Sequence, residues 1–555
     1  MSAAAAAPRL EQAPPARIPA GLFWLVALAV SLACQLLPRG TVPGWAMELP
    51  RAYEWPLARQ LTAVMRWLVD EASLGFVTVK ELTRGLAALL DWPLWLATSL
   101  LATGFLDGEG SAAVQVLPPL PWLAVVGIAA LVGHHARDWR LAAFAAGCFL
   151  YLALFGQWAS AMVTLASIAV AVPLGVALGL VLGIWGFRSA WAERAMNPLL
   201  DLMQTVPIFA YLVPVLFFFG FGPVAALVAT VIYALPPMVR VTVLALRGVP
   251  PETVEYGRMA GCTERQLLWR VLVPSARPAL MVGVNQVIML SLNMVIIASM
   301  IGAGGLGYDV LTALRRLDIG AGLEAGVAIV VLAIALDRLS QALAERGEPV
   351  GVDDQRGWLP RHPHLAAAVL LVLATGLAGQ VAPALIRYPE AWTISTAPWW
   401  GALVSWINVN YFDALEAFKT AVVLNLLVPV KRFLLAQPWP WLVLLLAVAG
   451  WRLGGVRLAA LCLLLPLFIL VTGQWENAML TVYLTGVSVL IAAAIGVPLG
   501  IASALRPRLW RVVRAAIDTL QTLPSFVYLI PVVMLFRVGD FTAMIAVVLY
   551  ALAPA

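Results

Sequence analysis

The chain has 555 residues, of which 62% are hydrophobic and only 12% are charged, with a mean hydropathy of +0.92 and a net charge of +6. Soluble domains carry about 25% charged residues, so this composition excludes a soluble globular protein. Apolar runs of about twenty residues, without two-residue alternation, predict an all-α integral membrane protein rather than a β-barrel.

The positive charge is carried almost entirely by arginine, since Lys80, Lys419 and Lys431 are the only lysines. Many arginines cluster in short turns between apolar runs, where basic residues orient a protein with those turns inside the cell. We therefore expect no nucleic-acid partner. No metal site is expected either, because the four cysteines lack the spacing of metal ligands. The histidines are expected to be solvated loop residues: His134, His135, His362 and His364.

The first part of the chain is predicted to be peripheral to a helical core. Its elements are, in order, a Pro/Ala-rich cytoplasmic leader (1–20), a first span (21–37), Trp-rich interfacial helices on the outer face (39 to about 90), a re-entrant run (92–105) and a hairpin (121–133 and 141–155).

Apolar runs then alternate with polar turns and predict the core itself. Its elements are, in order, a tilted span (158–187), an outward span (207–221), an inward span (223–237), a polar stretch inside the cell (240–277), an outward span (279–301) and a returning span (323–335).

The chain repeats itself at an offset of 317 residues. Arginines follow the same helix in both copies, so the duplication is predicted to be parallel rather than inverted. The signature Asp-x-x-Gln-Thr-x-Pro is predicted to mark the start of a span in each copy: Asp201, Gln204 and Pro207, then Asp518, Gln521 and Pro524. The predicted domains are 21–157 and 158–343 in copy one, a cytoplasmic linker at 344–363, and 364–474 and 475–555 in copy two. Copy two is predicted to repeat the hairpin, at 440–450 and 458–470.

Copy two ends at Ala555, which corresponds to Met238 in copy one. The polar inner stretch and the last two spans of copy one therefore have no counterpart, and we expect the chain to be a fragment.

The polar stretch 249–278 is predicted to be a helix-turn-helix on the inner face. Prolines 250 and 251 suit a helix start, and Glu252 and Glu255 fall in the first turns, where acidic residues complement the helix dipole. Gly261 breaks this helix. A second short helix is expected from about Thr263 to Val273, ended by Pro274. Such an elbow between two spans indicates a docking surface.

Small residues recur at every fourth position of the repeated helix, a spacing that lets helix backbones approach closely in lipid. We expect these helices to pack where the two halves meet: Gly175, Gly179 and Gly183, then Ala492, Gly496 and Gly500.

Polar residues inside membrane segments are candidates for function. Asp201 and Gln204 lie near inner arginines, which favours a structural cap or ion pair. Asn285, Gln286 and Asn293 lie on one predicted helix. They either line a translocation path or form hydrogen bonds between helices, and the sequence leaves both open.

These segments resemble a known family. The pattern Pro-x-Glu-x-x-Glu-Ala-Ala-(x)3-Gly-…-Leu-Pro is the signature loop of binding-protein-dependent ABC importer permeases. Glu255, Gly261 and Pro274 match it, whereas Tyr256 and Gly257 stand where the family has two alanines. The segments 201–207, 211–214, 283–286, 294–300 and 304–307 resemble the permeases of glycine betaine/proline importers.

The resemblance implies a type I ABC importer permease fold, the MetI-like helical bundle, duplicated in parallel orientation. It implies a transport subunit rather than an enzyme, paired with a cytoplasmic ABC ATPase dimer that binds the ATP, and an external binding protein that delivers a small zwitterionic solute. Residues 252, 255–257, 261 and 274 would then form the ATPase-coupling loop. No Gly-x-x-x-x-Gly-Lys-Ser/Thr loop occurs in the chain, so the ATPase is expected on a separate chain.

Three alternatives remain at this point. The solute could be choline or another small solute instead of glycine betaine. From a different class, an ion-coupled secondary transporter would use intramembrane carboxylates such as Glu324 or Asp337; we expect Glu324 near a turn and Asp337 paired with Arg338. A passive channel would carry flux without ATP.

Overall fold

The structure is a computed structural model, and it describes residues 20–36, 42–74, 76–108, 114–299, 301–346, 363–522 and 525–554. The predicted leader up to residue 19 and most of the predicted linker lie outside the described residues, as do Pro524 and His362.

The described chain is almost entirely helical. Up to residue 346 the helices are α1 (Ala20–Leu36), α2 (Leu57–Asp70), α3 (Val79–Thr98), α4 (Trp122–Ala136), α5 (Trp139–Leu154), α6 (Trp158–Arg188), α7 (Ala190–Thr205), α8 (Ile208–Phe219), α9 (Pro223–Arg247), α10 (Pro251–Met259), α11 (Val273–Ser299), α12 (Leu306–Arg316) and α13 (Ile319–Glu345).

After the linker the helices are α14 (Pro363–Val381), α15 (Ala397–Val422), α16 (Val428–Leu435), α17 (Trp439–Val471), α18 (Trp475–Leu505), α19 (Pro507–Thr522), α20 (Ser525–Phe536) and α21 (Asp540–Leu552). Two short antiparallel pairs complete the secondary structure: β1 (Ser73–Leu74) with β2 (Val77–Thr78), and β3 (Phe105–Asp107) with β4 (Val114–Leu117).

Eight helical segments of the described chain are long and apolar enough to cross a membrane. The pair α7–α8 would make a ninth, but it is bent by 108°. The outward span predicted at 207–221 is therefore only partly right. Its helix, α8, has 12 residues, which reach about 18 Å, against the roughly 30 Å of a bilayer core.

Two other boundaries differ from the sequence prediction, and one helix is additional. The inward helix does not end at Pro237 but continues to Arg247, because its last turns still bury apolar side chains such as Leu246. The predicted re-entrant run is the end of a longer helix that begins at Val79, where Thr78 and Glu81 form a capping box. Helix α12 was not predicted at all.

The second short helix of the inner elbow is not a separate helix. It starts at Thr263, whose side chain caps it, and continues through a π-turn (Leu267–Leu272) directly into α11. Val273 donates its N–H to the carbonyl of Leu268, five residues back. This shift of register accommodates Pro274, which has no N–H to donate, so the proline does not end the helix as predicted.

The chain forms two compact units. The larger comprises residues 65–412 and 501–537, and the smaller comprises residues 1–64, 413–500 and 538–555. In the larger unit, α6, α9 and α11 pack closely, because small residues on α6 admit side chains from the other two helices. A Cβ atom on Gly179 would lie 2.5 Å from Cγ of Met238, and one on Gly175 would lie 3.2 Å from Val287.

These distances place the glycine stripe of α6 inside copy one, against α9 and α11, instead of at the predicted meeting point of two halves. The hairpin prediction is confirmed in both copies. A Cβ on Gly133 would lie 2.9 Å from the backbone of Ala142, and one on Gly450, its repeat partner, 3.0 Å from the carbonyl of Leu458. In copy two, α17 folds back at Gly454–Gly455, where the backbone leaves helical geometry.

In the smaller unit, α1 lies against elements of copy two. Trp441 donates Nε1–H to the Ser31 hydroxyl (2.9 Å), and the Gln437 amide donates to the Ser31 carbonyl (3.1 Å). Lys431 pairs with Asp540 at 3.0 Å. The sequence prediction assigned residues 21–157 to copy one, and nothing in the repeat pattern indicates these contacts.

Candidate functional site

The elbow between α9 and α11 has one packed face and one exposed face. Gly257 is buried, and a Cβ there would lie 2.6 Å from Cδ1 of Leu267 and 3.2 Å from Val271. The first helix, α10, therefore lies against the π-turn through a position that carries no side chain. Gly261 ends the helix at a φ of +76°, a conformation that glycine adopts without strain.

The opposite face of α10 is open. Glu252 and Glu255 are exposed, and Tyr256 and Met259 are 69% and 74% exposed. Trp269, on the π-turn, is 49% exposed. On α10, two carboxylates beside two large side chains form a surface suited to a partner with an apolar cleft and basic rim. We call Glu252, Glu255, Tyr256 and Met259 the elbow face.

The elbow is held to neighbouring helices. Val249 is buried with Leu267 and Leu268 in one apolar cluster, which ties the start of the elbow to the π-turn. On the other side, the Arg188 guanidinium at the end of α6 donates to the carbonyl of Glu264 (3.5 Å).

The signature residues before α8 lie on α7, facing α9. Asp201 forms an ion pair with Arg240, and Glu193 forms a bidentate pair with Arg247, with distances of 2.8 and 2.6 Å. Pro207 precedes α8 at the 108° bend. Gln204 lies one residue from the end of α7. The sequence missed Glu193 and Arg247 as partners, because only the fold brings two segments 54 residues apart together.

The copy-two counterparts Asp518 and Gln521 lie on α19, which ends at Thr522. The structure does not describe their side chains.

The polar residues of α11 do not share one environment. The Ser340 hydroxyl donates to Oδ1 of Asn285 (2.6 Å), which joins α11 to α13. Gln286 is exposed, and Asn293 is half-buried. The structure therefore assigns Asn285 a contact between helices and leaves the translocation-path prediction for Gln286 and Asn293 untested.

The two carboxylates considered for ion coupling are buried, and both accept hydrogen bonds. Glu324 is 5% exposed and accepts hydrogen bonds from the Ser395 hydroxyl (3.0 Å) and from the N–H groups of Thr396 (3.3 Å) and Ala397 (3.0 Å). Asp337 accepts from the Gln341 amide at 2.8 and 2.9 Å, rather than from Arg338 as predicted, because adjacent helical residues point in different directions.

Three of the histidines that were expected to be solvated loop residues contact one another at helix ends. His134 and His135, at the end of α4, lie 3.1 and 3.3 Å from ring nitrogens of His364 at the start of α14. Among the described residues, no group of three or more His, Cys, Asp or Glu side chains is arranged to hold a metal ion.

Comparison with known proteins identifies the family. Residues 175–347 match the model of the binding-protein-dependent transport system inner membrane component, a segment that contains the whole elbow. The trimethylamine N-oxide transport system permease protein TmoV of Ruegeria pomeroyi is 36% identical over 541 residues, which cover 96% of this chain and 79% of that protein. This chain belongs to the permeases of binding-protein-dependent transport systems.

Other permeases match single copies. The glycine betaine/proline betaine transport system permease protein ProW of Escherichia coli is 42% identical over 249 residues, which cover 45% of this chain and 70% of that protein. Among solved structures, inward-facing MetNI, a methionine ABC transporter, covers 33% of this chain and 90% of that chain, with 25% identity and a TM-score of 0.30.

Membership of the permease family confirms the expected all-α, MetI-like permease fold, the inner-membrane location and the role of a transport subunit rather than an enzyme. The long match to a relative extends over both copies, as expected for two fused permease repeats.

Proposed function

We propose that this permease forms the membrane path of an ATP-driven importer for small quaternary ammonium or amine-oxide solutes, and that its elbow face couples the path to a separate ATPase dimer. The elbow carries this proposal. Its exposed carboxylates and apolar side chains have no covering element among the described residues, whereas its inner face is fixed to the helices that enter the membrane. A push on α10 would therefore reach α9 and α11 directly.

The permease relatives support the solute class. Two proteins that match most of this chain are named for trimethylamine N-oxide transport, and several that match less than half of it are named for glycine betaine transport. These solutes share a compact methylated nitrogen and a negative oxygen. Aromatic side chains bind such cations through their ring faces, and we propose that an external binding protein supplies those rings. Choline or another small solute is the alternative within this class.

The buried carboxylates argue against ion coupling in the described region. Glu324 has three hydrogen-bond donors, and Asp337 is bound by Gln341, so neither is a free, water-facing group of the kind a coupling ion needs.

Reconstitution tests the proposal. The permease, its ATPase and its binding protein are placed in liposomes, and uptake of labelled trimethylamine N-oxide and glycine betaine is measured with and without ATP inside. We expect uptake of at least one solute to need ATP. Uptake that persists without ATP, or that follows an imposed ion gradient, would refute the proposal.

Variants of the elbow test the coupling role. Glu255→Lys reverses a charge on the elbow face, and Gly261→Pro forces φ to about −65° where the structure has +76°. Both should abolish ATP-driven uptake while the permease still inserts into the membrane. Glu390→Lys is the matched control, since Glu390 is also an exposed carboxylate and lies far from the elbow along the chain. Normal uptake by Glu255→Lys would count against docking at this face.

A further inference from the structure

Two ion pairs connect α7 to α9 at two positions along the helices. Glu193 and Asp201 are eight residues apart on α7, and Arg247 and Arg240 are seven apart on α9. Residues seven or eight apart lie on the same face of a helix, about 11 Å from each other along its axis. The pairs therefore link one face of α7 to one face of α9 at two points. We call the two pairs the α7–α9 clamp; Glu193–Arg247, nearer the elbow, is its outer rung and Asp201–Arg240 is its inner rung.

The outer rung, Glu193–Arg247, has the geometry of a strong ion pair. Two guanidinium nitrogens donate to the two carboxylate oxygens, at 2.8 and 2.6 Å, and the Glu193 side chain is only 23% exposed. A bidentate pair fixes orientation as well as distance. Between the rungs the helices border an open pocket of about 210 Å³ lined in part by Met196, Leu200 and Val243. Apolar contact between α7 and α9 is therefore interrupted there, and the ion pairs bridge the gap.

The clamp lies between the elbow and the bent pair α7–α8. Only residues 248–250 separate Arg247 from the start of α10, and Val249 is buried among them. At its other end α7 leads to Pro207 and the 108° bend into α8. The route from α10 to α7 therefore runs through only the last two turns of α9.

We propose that Glu193–Arg247 and Asp201–Arg240 are positioning residues that make the α7–α8 bend move as one body with the elbow. They would act through geometry, without contacting solute or nucleotide. This inference rests on the proposed function, because it assigns the path by which force on the elbow reaches the membrane.

The outer rung is specific to copy one. At the offset of 317 residues, position 193 corresponds to 510, which is Trp510, whereas Asp201 corresponds to Asp518. Copy two thus keeps the carboxylate of the inner rung but has no carboxylate at the outer one. Copy two would therefore lack one of the two ion pairs that hold α7 to α9 in copy one.

A charge swap tests the outer rung. Glu193→Arg and Arg247→Glu each place like charges opposite one another, and the double variant restores an opposite pair in reversed order. In liposomes with the ATPase and binding protein, we expect each single variant to lower solute uptake per ATP hydrolysed about fivefold, a factor that corresponds to loss of one partly exposed ion pair. The double variant should recover at least half of the loss.

A distance measurement tests the clamp without any partner. Spin labels are placed at Trp191 on α7 and Tyr256 on α10, which are 67% and 69% exposed, in a background with the four cysteines replaced. We expect a narrow distance distribution in the parent, a broad one in Glu193→Arg, and a narrow one again in the double variant. Glu390→Arg is the charge-matched control and should leave the distribution narrow.

The two readouts separate the possible failures. A distribution that stays narrow in Glu193→Arg, or a double variant no better than either single one in uptake per ATP, would overturn the clamp. If the parent shows no ATP-driven uptake, the proposed function fails, and the distance measurement still decides whether the clamp holds α7 to the elbow.

Discussion

Glu324 offers a sharp test of the fold, because one buried carboxylate joins α13 to the segment before α15. Three donors converge on it, from Ser395, Thr396 and Ala397, and the side chain is 5% exposed. Glu324→Ala removes this acceptor from the buried N–H group of Thr396, whereas the N–H group of Ala397 keeps a second acceptor, the Ser395 hydroxyl at 3.2 Å. An unsatisfied buried donor costs about 1–3 kcal/mol. The lost hydrogen bonds are offset in part by the desolvation energy of the buried charge, so we expect a net loss of about 1–3 kcal/mol.

Glu324→Gln keeps the shape and one acceptor oxygen but turns an NH2 group toward a donor, so about half of that loss is expected. The control is Glu345→Ala at the other end of the same helix. Glu345 is 69% exposed and lies 4.0 Å from Arg137, and an exposed pair of this kind contributes about 0–1 kcal/mol.

The assay is thermal unfolding of the purified permease in detergent. In a chain of this size 1 kcal/mol shifts Tm by about 1 °C, so we expect an apparent Tm about 1–3 °C below the parent for Glu324→Ala, less for Glu324→Gln, and no clear change for Glu345→Ala. Equal Tm values for Glu324→Ala and Glu345→Ala would refute the buried carboxylate link.

Three further predictions concern glycines and the α11–α13 contact. Gly183→Ala should destabilise the permease in detergent by about 1–3 kcal/mol through overpacking, because its Cβ would lie 2.7 Å from Cγ2 of Thr242 and 3.0 Å from the carbonyl of Val239. Its repeat partner Gly500 has no described atom within 4 Å, so Gly500→Ala should be tolerated. Equal effects of the two variants on thermal unfolding would contradict the packing. Gly257→Val should abolish ATP-driven uptake. Gly257→Ala should keep most of it, because its methyl group meets the flexible end of Leu267 and, at 3.2 Å, one γ-methyl group of Val271; full uptake by the valine variant would contradict the close contact. Asn285→Ala should cost about 1 kcal/mol of stability, because the hydrogen bond from Ser340 is lost, and should leave solute preference unchanged. Competition between labelled solutes measures that preference. An altered preference would instead favour a path-lining role.

The sequence predicted what depends on local composition and on repetition. Hydropathy predicted α6 and α9 because each is a long apolar run, and Gly261 predicted the break in the elbow because few other residues adopt its φ. The hairpins were predicted in both copies because the same apolar pattern occurs twice. The family was predicted from motifs, and the comparisons confirmed it.

The features that the sequence did not predict depend on long-range contacts. Pro274 was expected to end a helix, since sequence alone does not indicate that a π-turn has already shifted the hydrogen-bond register. The partners of Glu193 and Glu324 were not predicted, because they lie 54 and 71 positions away along the chain. The sequence predicted a full span from Pro207 and not the bend between α7 and α8, since a proline can begin a span as easily as a short bent segment.

Crosslinking of the elbow to the ATPase tests the central claim most directly. A photoreactive side chain at Tyr256, 69% exposed on the elbow face, is compared with the same group at Trp392, 56% exposed on the segment before α15, in membranes that contain the whole transporter. The account predicts a crosslink to the ATPase from Tyr256 and none from Trp392. A Tyr256 probe that is labelled by a membrane-impermeant reagent from outside the cell, or that never reaches the ATPase, would contradict it.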